Sequence, residues 1–207
     1  FDIFDTLLKR DCAHPADLFA LMEVTHQAAL GFAEARVAAE AETRQTLGRE
    51  VTLAEIYAHP ALRGTDPAAE CAAELAMIAP NRPVAQAAAA CHARGQKVYA
   101  VSDMYLPKEQ IEAMLQKCGL DFLDGVFVSC EYRVQKRSGK LFKLFLQQTA
   151  LRPAEVLFVG DSPRADFAGA ALAGIRCFLL PQPTPLPYTK TPADAVGGVA
   201  IATLQNC

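Results

Sequence analysis

Phe1-Asp2-Ile3-Phe4-Asp5-Thr6-Leu7 opens the chain, and Val156-Leu157-Phe158-Val159-Gly160-Asp161-Ser162 stands near its other end. In each stretch a short apolar run stops at an aspartate. A run of that length, closed by a turn-forming acid, reads as a buried strand with a carboxylate at its C-terminal end. Laid parallel in one sheet, the two strands bring Asp2 and Asp161 to the same edge. Two carboxylates there can share one hard cation.

The text between these stretches falls into two styles. From Pro15 to about residue 79 it is rich in Ala and Glu. Leu18, Leu21, Met22 and Thr25 recur at helical spacing, and Phe32, Ala35, Val37 and Ala39 do so less regularly. Gly31 and Gly48 read as breaks. Thr52-Leu53-Ala54-Glu55 has the form of a capping box, and Thr65-Asp66-Pro67 that of an N-cap and first turn. No strand pattern interrupts this block, so residues 12–82 are expected to form a helical insertion. Beyond Pro83 the periodicity alternates. Helices are expected over 84–94, 107–118, 139–149 and 164–173, and strands over 98–102, 125–129, 156–159 and 175–180, with residues 1–4 as the first strand. Strands alternating with helices argue for an α/β fold, a Rossmann-like parallel sheet sandwiched by helices with right-handed crossovers. Its core spans 1–11 and 83–207, interrupted by the α-helical insertion. The prolines from Pro181 to Pro187 read as an extended edge segment or linker.

Composition bounds the function. The 207 residues are 52% hydrophobic and 21% charged, with a formal net charge of −3. That supports a sizeable core in one domain carrying an insertion. No basic run exceeds three residues, so a nucleic-acid groove is not expected. No apolar run approaches the roughly 18 residues of a membrane span, and no signal peptide is visible. The seven cysteines contain no C-x-x-C pair. Their number and spacing read as reduced thiols of a cytoplasmic protein. The four histidines lie at no metal-ligand spacing. A start inside a strand, without methionine, suggests a segment of a longer polypeptide that carries other domains.

Each candidate residue has a chemical and a bland reading. A carboxylate at position 2 can attack phosphorus, and it can equally cap a turn. Backbone N–H groups in the turn through Asp5, Thr6 and Leu7 can cradle phosphate oxygens. Ser102, at a strand end, offers a hydroxyl to a phosphate oxygen or simply forms a turn. Lys136 can offset charge on nucleophile and phosphoryl group, or belong to a solvated basic loop. Asp161 can join Asp2 around magnesium, which takes one or two carboxylates plus water and substrate oxygens. Asp166 can orient a ligand, pair with Lys136, or sit favourably near a helix N-terminus. The order acid, hydroxyl, lysine, acid pair on successive strands is more specific than any member.

That order resembles the haloacid dehalogenase superfamily of phosphohydrolases. Residues 1–7 are similar to its first motif, Ser102 to its second, Lys136 to its third, and Gly160-Asp161 through Asp166 to its fourth. The run Lys136-Arg137-Ser138-Gly139-Lys140-Leu141-Phe142 carries the family's lysine-to-phenylalanine spacing. The opening heptapeptide also resembles a bacterial subgroup of hydrolases sometimes joined to glycosyltransferases. The resemblance implies that the insertion at 12–82 is an α-helical cap, and that the protein is a Mg2+-dependent phosphatase acting on a small phosphomonoester through an aspartyl-phosphate. It implies Asp2 as nucleophile and metal ligand, the backbone carbonyl of Phe4 and Asp161 as further ligands, and Asp166 as a supporting acid. Thr6, Ser102 and Lys136 would bind the phosphate. Phosphatases of the family carry a second acid two residues after the nucleophile. Here that position is Phe4, and Asp5 follows it as a candidate replacement. Two other readings stay open: a non-catalytic phosphosugar- or nucleotide-binding module, and a 2-haloacid dehalogenase, since dehalogenases of the superfamily also have an aromatic residue there. Gly160-Asp161 speaks for a metal that dehalogenases do not use. A two-component receiver domain fits the chain order less well. His14, Arg36, Arg44 and Arg63 are insertion residues able to meet an anionic substrate, but none is assigned to the site.

Overall fold

The computed structural model describes residues 1–181, so the proline-rich stretch read as a linker lies, after Pro181, outside the described residues. The described residues divide into two units: Phe1–Lys9 with Pro80–Pro181, and Arg10–Ala79. After β1 (Leu8–Arg10) come α1 (Asp17–Val24), α2 (Phe32–Leu47), α3 (Leu53–Tyr57) and α4 (Pro67–Ala76), and then β2 (Ile78–Pro80). β1 and β2 pair as a two-stranded ribbon in which the chain passes from one unit to the other and back.

The helical unit is built around buried charge. Arg36 is fully buried, donating to Glu70 Oε2 at 2.6 Å and Oε1 at 2.8 Å and to Glu40 Oε2 at 3.0 Å. Its guanidinium lies 4.8 Å from the ring centroid of Phe19, and Tyr57 Oη donates to Glu70 at 2.8 Å. A guanidinium out of water persists only when its donors are met, and here acids from α2 and α4 meet them. Arg44 is likewise engaged by Glu40 and Glu50. Both arginines serve the packing of this unit. The caps follow the sequence: Thr52 and Glu55 form the reciprocal box of α3, and Asp66 accepts from Ala68 N ahead of Pro67.

The other unit continues with α5 (Arg82–Ala93), β3 (Tyr99–Ser102), α6 (Lys108–Lys117), β4 (Gly125–Val128), α7 (Ser129–Tyr132), α8 (Lys140–Thr149), β5 (Leu157–Gly160), α9 (Gly169–Leu172) and β6 (Arg176–Leu179). β3 and β4 are parallel, in register from Tyr99 opposite Gly125 to Ser102 opposite Val128. β5 and β6 are parallel from Leu157 opposite Arg176 to Gly160 opposite Leu179. Residues 1–2 lie between the two pairs. Phe1 N donates to Tyr99 O at 2.8 Å, Val101 N to Phe1 O at 2.9 Å, and Asp2 N to Val159 O at 2.8 Å. The resulting order is β4, β3, residues 1–2, β5, β6. The expected first strand over 1–4 is thus a two-residue bridge. Leu8 N returns to Ile3 O at 2.8 Å, so the chain already turns there.

This is a mixed α/β fold, small parallel sheets flanked by helices. On one sheet face α8 buries Leu141, Phe142 and Phe145 against Val101, Phe127, Phe158 and Ile175. Phe142 meets Phe158 edge-on at 4.8 Å between centroids, and Phe145 meets Phe127 at 5.2 Å. Each buried ring contributes about 1.5–3 kcal/mol. The strand order reverses direction between residues 1–2 and β5, and in open α/β sheets ligands bind beside the C-terminal strand ends at such a point. Asp2 and Asp161 stand there.

Candidate active site

The turn after residues 1–2, the turn carrying Lys136 and the segment after β5 bring four charged side chains together. Asp2 is 6% exposed, Lys136 3%, Asp161 9% and Asp166 0%. Lys136 Nζ donates to Asp2 Oδ1 at 2.5 Å and to Asp166 Oδ1 at 2.6 Å. Carboxylate oxygens of Asp2, Asp161 and Asp166 lie within 4.8 Å of one another.

Local structure explains each placement. Lys136 begins a 3-10 turn, Lys136–Ser138, and its backbone N–H donates to Asp103 Oδ1 at 2.7 Å. Asp103 directly follows Ser102 at the end of β3. Sequence reasoning gave it no role, although an acid next to a strand-end hydroxyl was the available signal. Asp166 lies in a π-helical turn, Pro163–Ala168, where Phe167 N reaches back five residues to Ser162 O at 3.1 Å. Wide turns of this kind recur at functional sites. Asp166 Oδ2 accepts from Asp161 N at 3.0 Å and Ser162 N at 2.9 Å. The carboxylate therefore ties the end of β5 to Lys136.

Two glycines permit this closeness. A Cβ on Gly160 would lie 2.5 Å from Asp166 Cγ, and one on Gly169 would lie 2.8 Å from the carbonyl carbon of Lys136. Thr6 is fully buried, its hydroxyl 3.4 Å from Asp161 Oδ1, and Asn81 Nδ2 donates to Thr6 O at 2.7 Å. Ser102 is buried at the end of β3. Phe4 is half-buried in the turn and bridges to Leu8. Asp5 is exposed with a left-handed φ of +59° and is not one of the three clustered carboxylates.

Burial pushes the Asp2 carboxyl up to about 7. The Lys136 ammonium opposes that shift, and Asp166 and Asp161 add to it. Burial also works against the charge on Lys136, but Asp2, Asp166 and Asp103 outweigh it and hold the ammonium above its ordinary value. Three carboxylates thus face one ammonium. Asp166 uses both oxygens on Lys136 and the backbone, whereas Asp2 commits only Oδ1 to Lys136. An all-oxygen donor set with surplus negative charge suits a hard divalent cation, and the cluster is able to coordinate one.

Among the described residues, no helix is long and apolar enough to cross a membrane. No curated protein matches this chain. Its fold is similar to that of the L-2-haloacid dehalogenase from Xanthobacter autotrophicus with chloropropionic acid covalently bound (TM-score 0.56, 22% identity, 86% of this chain and 74% of that one). It is also similar to CbbY from Rhodobacter sphaeroides in complex with phosphate (TM-score 0.59, 17% identity, 88% and 84%). A third likeness is to the HAD family enzyme bt-2542 from Bacteroides thetaiotaomicron (TM-score 0.60, 15% identity, 86% and 90%). At these identities the likeness is one of fold. The family model for haloacid dehalogenase-like hydrolases matches residues 1–174, from the Asp2 turn to the end of the Asp166 segment. The chain belongs to the haloacid dehalogenase-like hydrolases.

Proposed function

We propose that this hydrolase acts on small phosphomonoesters with Mg2+ bound, Asp2 being the nucleophile. The observation that carries the reading is the carboxylate cluster: Asp2, Asp161 and Asp166 within 4.8 Å, with Lys136 bonded to two of them. Asp2, Asp161 and the main-chain oxygen of Phe4 would hold the ion, with Asp166 behind them. A bound Mg2+ offsets charge on the phosphoryl oxygens. Lys136 orients Asp2 and keeps a positive charge beside the transferring group. An Asp2 oxygen forms a bond to phosphorus while the bond to the leaving oxygen breaks. Water then attacks the phosphorus of the aspartyl-phosphate, releasing phosphate and restoring the carboxylate. Thr6 and Ser102 offer hydroxyls to the phosphate oxygens.

Phe4 narrows the substrate. A phenyl ring hands no proton to a leaving group, and general acid help is worth roughly 10²–10⁴ in rate. Aryl and acyl phosphates, whose leaving groups depart unprotonated, are favoured. Asp5 stays in the proposed set as the next carboxylate in the chain, and unchanged turnover in Asp5→Asn removes it. The helical unit is proposed as the substrate-selecting cap, and the heptapeptide 1–7 supports membership of the subgroup that bears it. Among the described residues no disulfide joins the cysteines, which supports a reducing, cytoplasmic setting.

Phe4 also favours a second reading, carbon–halogen hydrolysis. That reaction begins with the same carboxylate attack, and halide needs no proton to leave. The dehalogenases among the similar folds support this reading more directly than the first. Asp161 weighs against it, because an extra carboxylate beside Asp2 repels a haloacid anion.

The test is an aryl phosphate and 2-chloropropionate, each with and without Mg2+. Expected is phosphate release that requires Mg2+ and is lost in Asp2→Asn. Halide release without a divalent ion transfers the assignment to dehalogenation. Inactivity with both, alongside phosphate binding, leaves a binding module.

A further inference from the structure

Lys136 is the first residue of a short 3-10 turn, and Gln135, at the N-cap position, supplies no side-chain cap. The cap comes from another strand. Asp103 Oδ1 accepts the Lys136 N–H at 2.7 Å, from 33 residues away in the chain. At the other end of the same residue, Lys136 O accepts from Gly139 N at 2.7 Å, and a Cβ on Gly169 would fall on that oxygen. The main chain of Lys136 is thus gripped at its N–H by the end of β3, and at its C=O by its own turn and the first residue of α9.

Asp103 is held in its turn. Met104 N donates to Ser129 Oγ at 2.9 Å, and Ser129 Oγ donates back to Met104 O at 3.4 Å. Cys130 Sγ donates to Leu106 O at 3.3 Å. Ser129 and Cys130 are both buried, so the loop after β3 is fastened to the start of α7. The lysine stem is long and flexible, and its ammonium must arrive between Asp2 Oδ1 and Asp166 Oδ1. A fixed acceptor on a fastened loop removes the error that the stem would otherwise carry forward from the backbone.

We infer that Asp103 is a positioning residue for Lys136. Its carboxylate sets the lysine's main chain and, through it, the ammonium between Asp2 and Asp166. It acts by geometry and not by charge, since the group it holds is a neutral N–H. Ser102 and Asp103 then divide the end of β3 between two tasks: a hydroxyl for phosphate oxygens, and a carboxylate for the lysine that meets them. The kinetic consequence rests on the phosphoryl-transfer reading, whereas the anchorage does not.

The test compares Asp103→Asn, which keeps an acceptor oxygen and loses the charge, with Asp103→Ala, which loses both. With an aryl phosphate and Mg2+, Asp103→Ala is expected to lower kcat by about 10²-fold, with KM within about threefold of wild type. Asp103→Asn is expected to keep kcat within about threefold. Hydrogen exchange at the Lys136 amide should quicken about tenfold in Asp103→Ala and stay as in wild type in Asp103→Asn. A kcat as low in Asp103→Asn as in Asp103→Ala overturns the inference, because charge then carries the effect. Unmoved exchange at Lys136 in Asp103→Ala overturns it as well. So does a loss confined to KM, which puts Asp103 against the substrate, or a lower Tm with kcat intact, which makes it a packing residue. Should Asp103→Ala not fold, kcat and exchange in Asp103→Asn decide alone. A wild type that turns over neither the aryl phosphate nor 2-chloropropionate defeats the functional reading, and exchange at Lys136 then decides the anchorage by itself.

Discussion

Asp166→Asn removes one charge and leaves the shape nearly unchanged. In the native protein the carboxylate accepts from Lys136 Nζ at 2.6 Å and from the N–H groups of Asp161 and Ser162 at 3.0 and 2.9 Å. Asparagine has one acceptor oxygen and one donor amide. Turned one way, its NH₂ faces the Lys136 ammonium; turned the other, it faces two backbone donors. Either orientation leaves buried donors opposed. Removing one partner of a buried ion pair costs about 3–5 kcal/mol, and the lower end applies because Lys136 keeps Asp2. A loss of about 3 kcal/mol lowers Tm by roughly 6–12 °C in a protein of this size. Urea unfolding, with its m-value compared to wild type, measures the loss directly. A loss below about 1 kcal/mol at unchanged m would show that Asp166 does not tie Lys136 to β5, and the account of the site would fail with it.

Gly160→Ala places a Cβ against the same carboxylate and should cost about 1–3 kcal/mol. Combined with Asp166→Asn, its cost should fall well short of the sum, because both act on one contact; additive values would refute this. The raised Asp2 carboxyl binds its proton more tightly folded than unfolded. Metal-free protein should therefore lose stability as pH rises from the unfolded value of 3.8 through about 7. The urea midpoint of wild type relative to Asp2→Asn reports it, and a flat difference contradicts it. Arg36→Met strands Glu70 without its guanidinium and should cost about 3–5 kcal/mol, with partial recovery on adding Glu70→Gln. Circular dichroism melts of the single and double variants decide that.

Much of the fold is legible because its local signals agree with one another. Apolar runs such as Val126-Phe127-Val128, each flanked by glycine or serine, mark strands to within a residue or two. Pro and Gly bracket the helix at 108–117 as expected. Asp2, Lys136, Asp161 and Asp166 converge as their chain order suggested. Three things were not legible. β1 and β2 are three-residue strands, and Lys9, Arg10 and Pro80 give them no alternation to read. The wide turn at Pro163–Ala168 accompanies the bonds Asp166 makes to the end of β5 and to Lys136, and pattern alone does not reveal tertiary bonds. Arg36 read as a residue able to meet an anion, yet it is sealed among Glu70, Glu40 and Phe19. Charge on a helix looks solvated until its partners, 34 residues away in the case of Glu70, are known.

Three main-chain bonds hold residues 1–2 in place between Tyr99, Val101 and Val159. A shift of that short segment by one position would present Ile3 where the carboxylate belongs and flip every neighbouring side chain to the opposite face. The reactivity of this protein is thus a question of alignment: an aliphatic group and an acid are separated by about 3.3 Å of travel along a single strand axis.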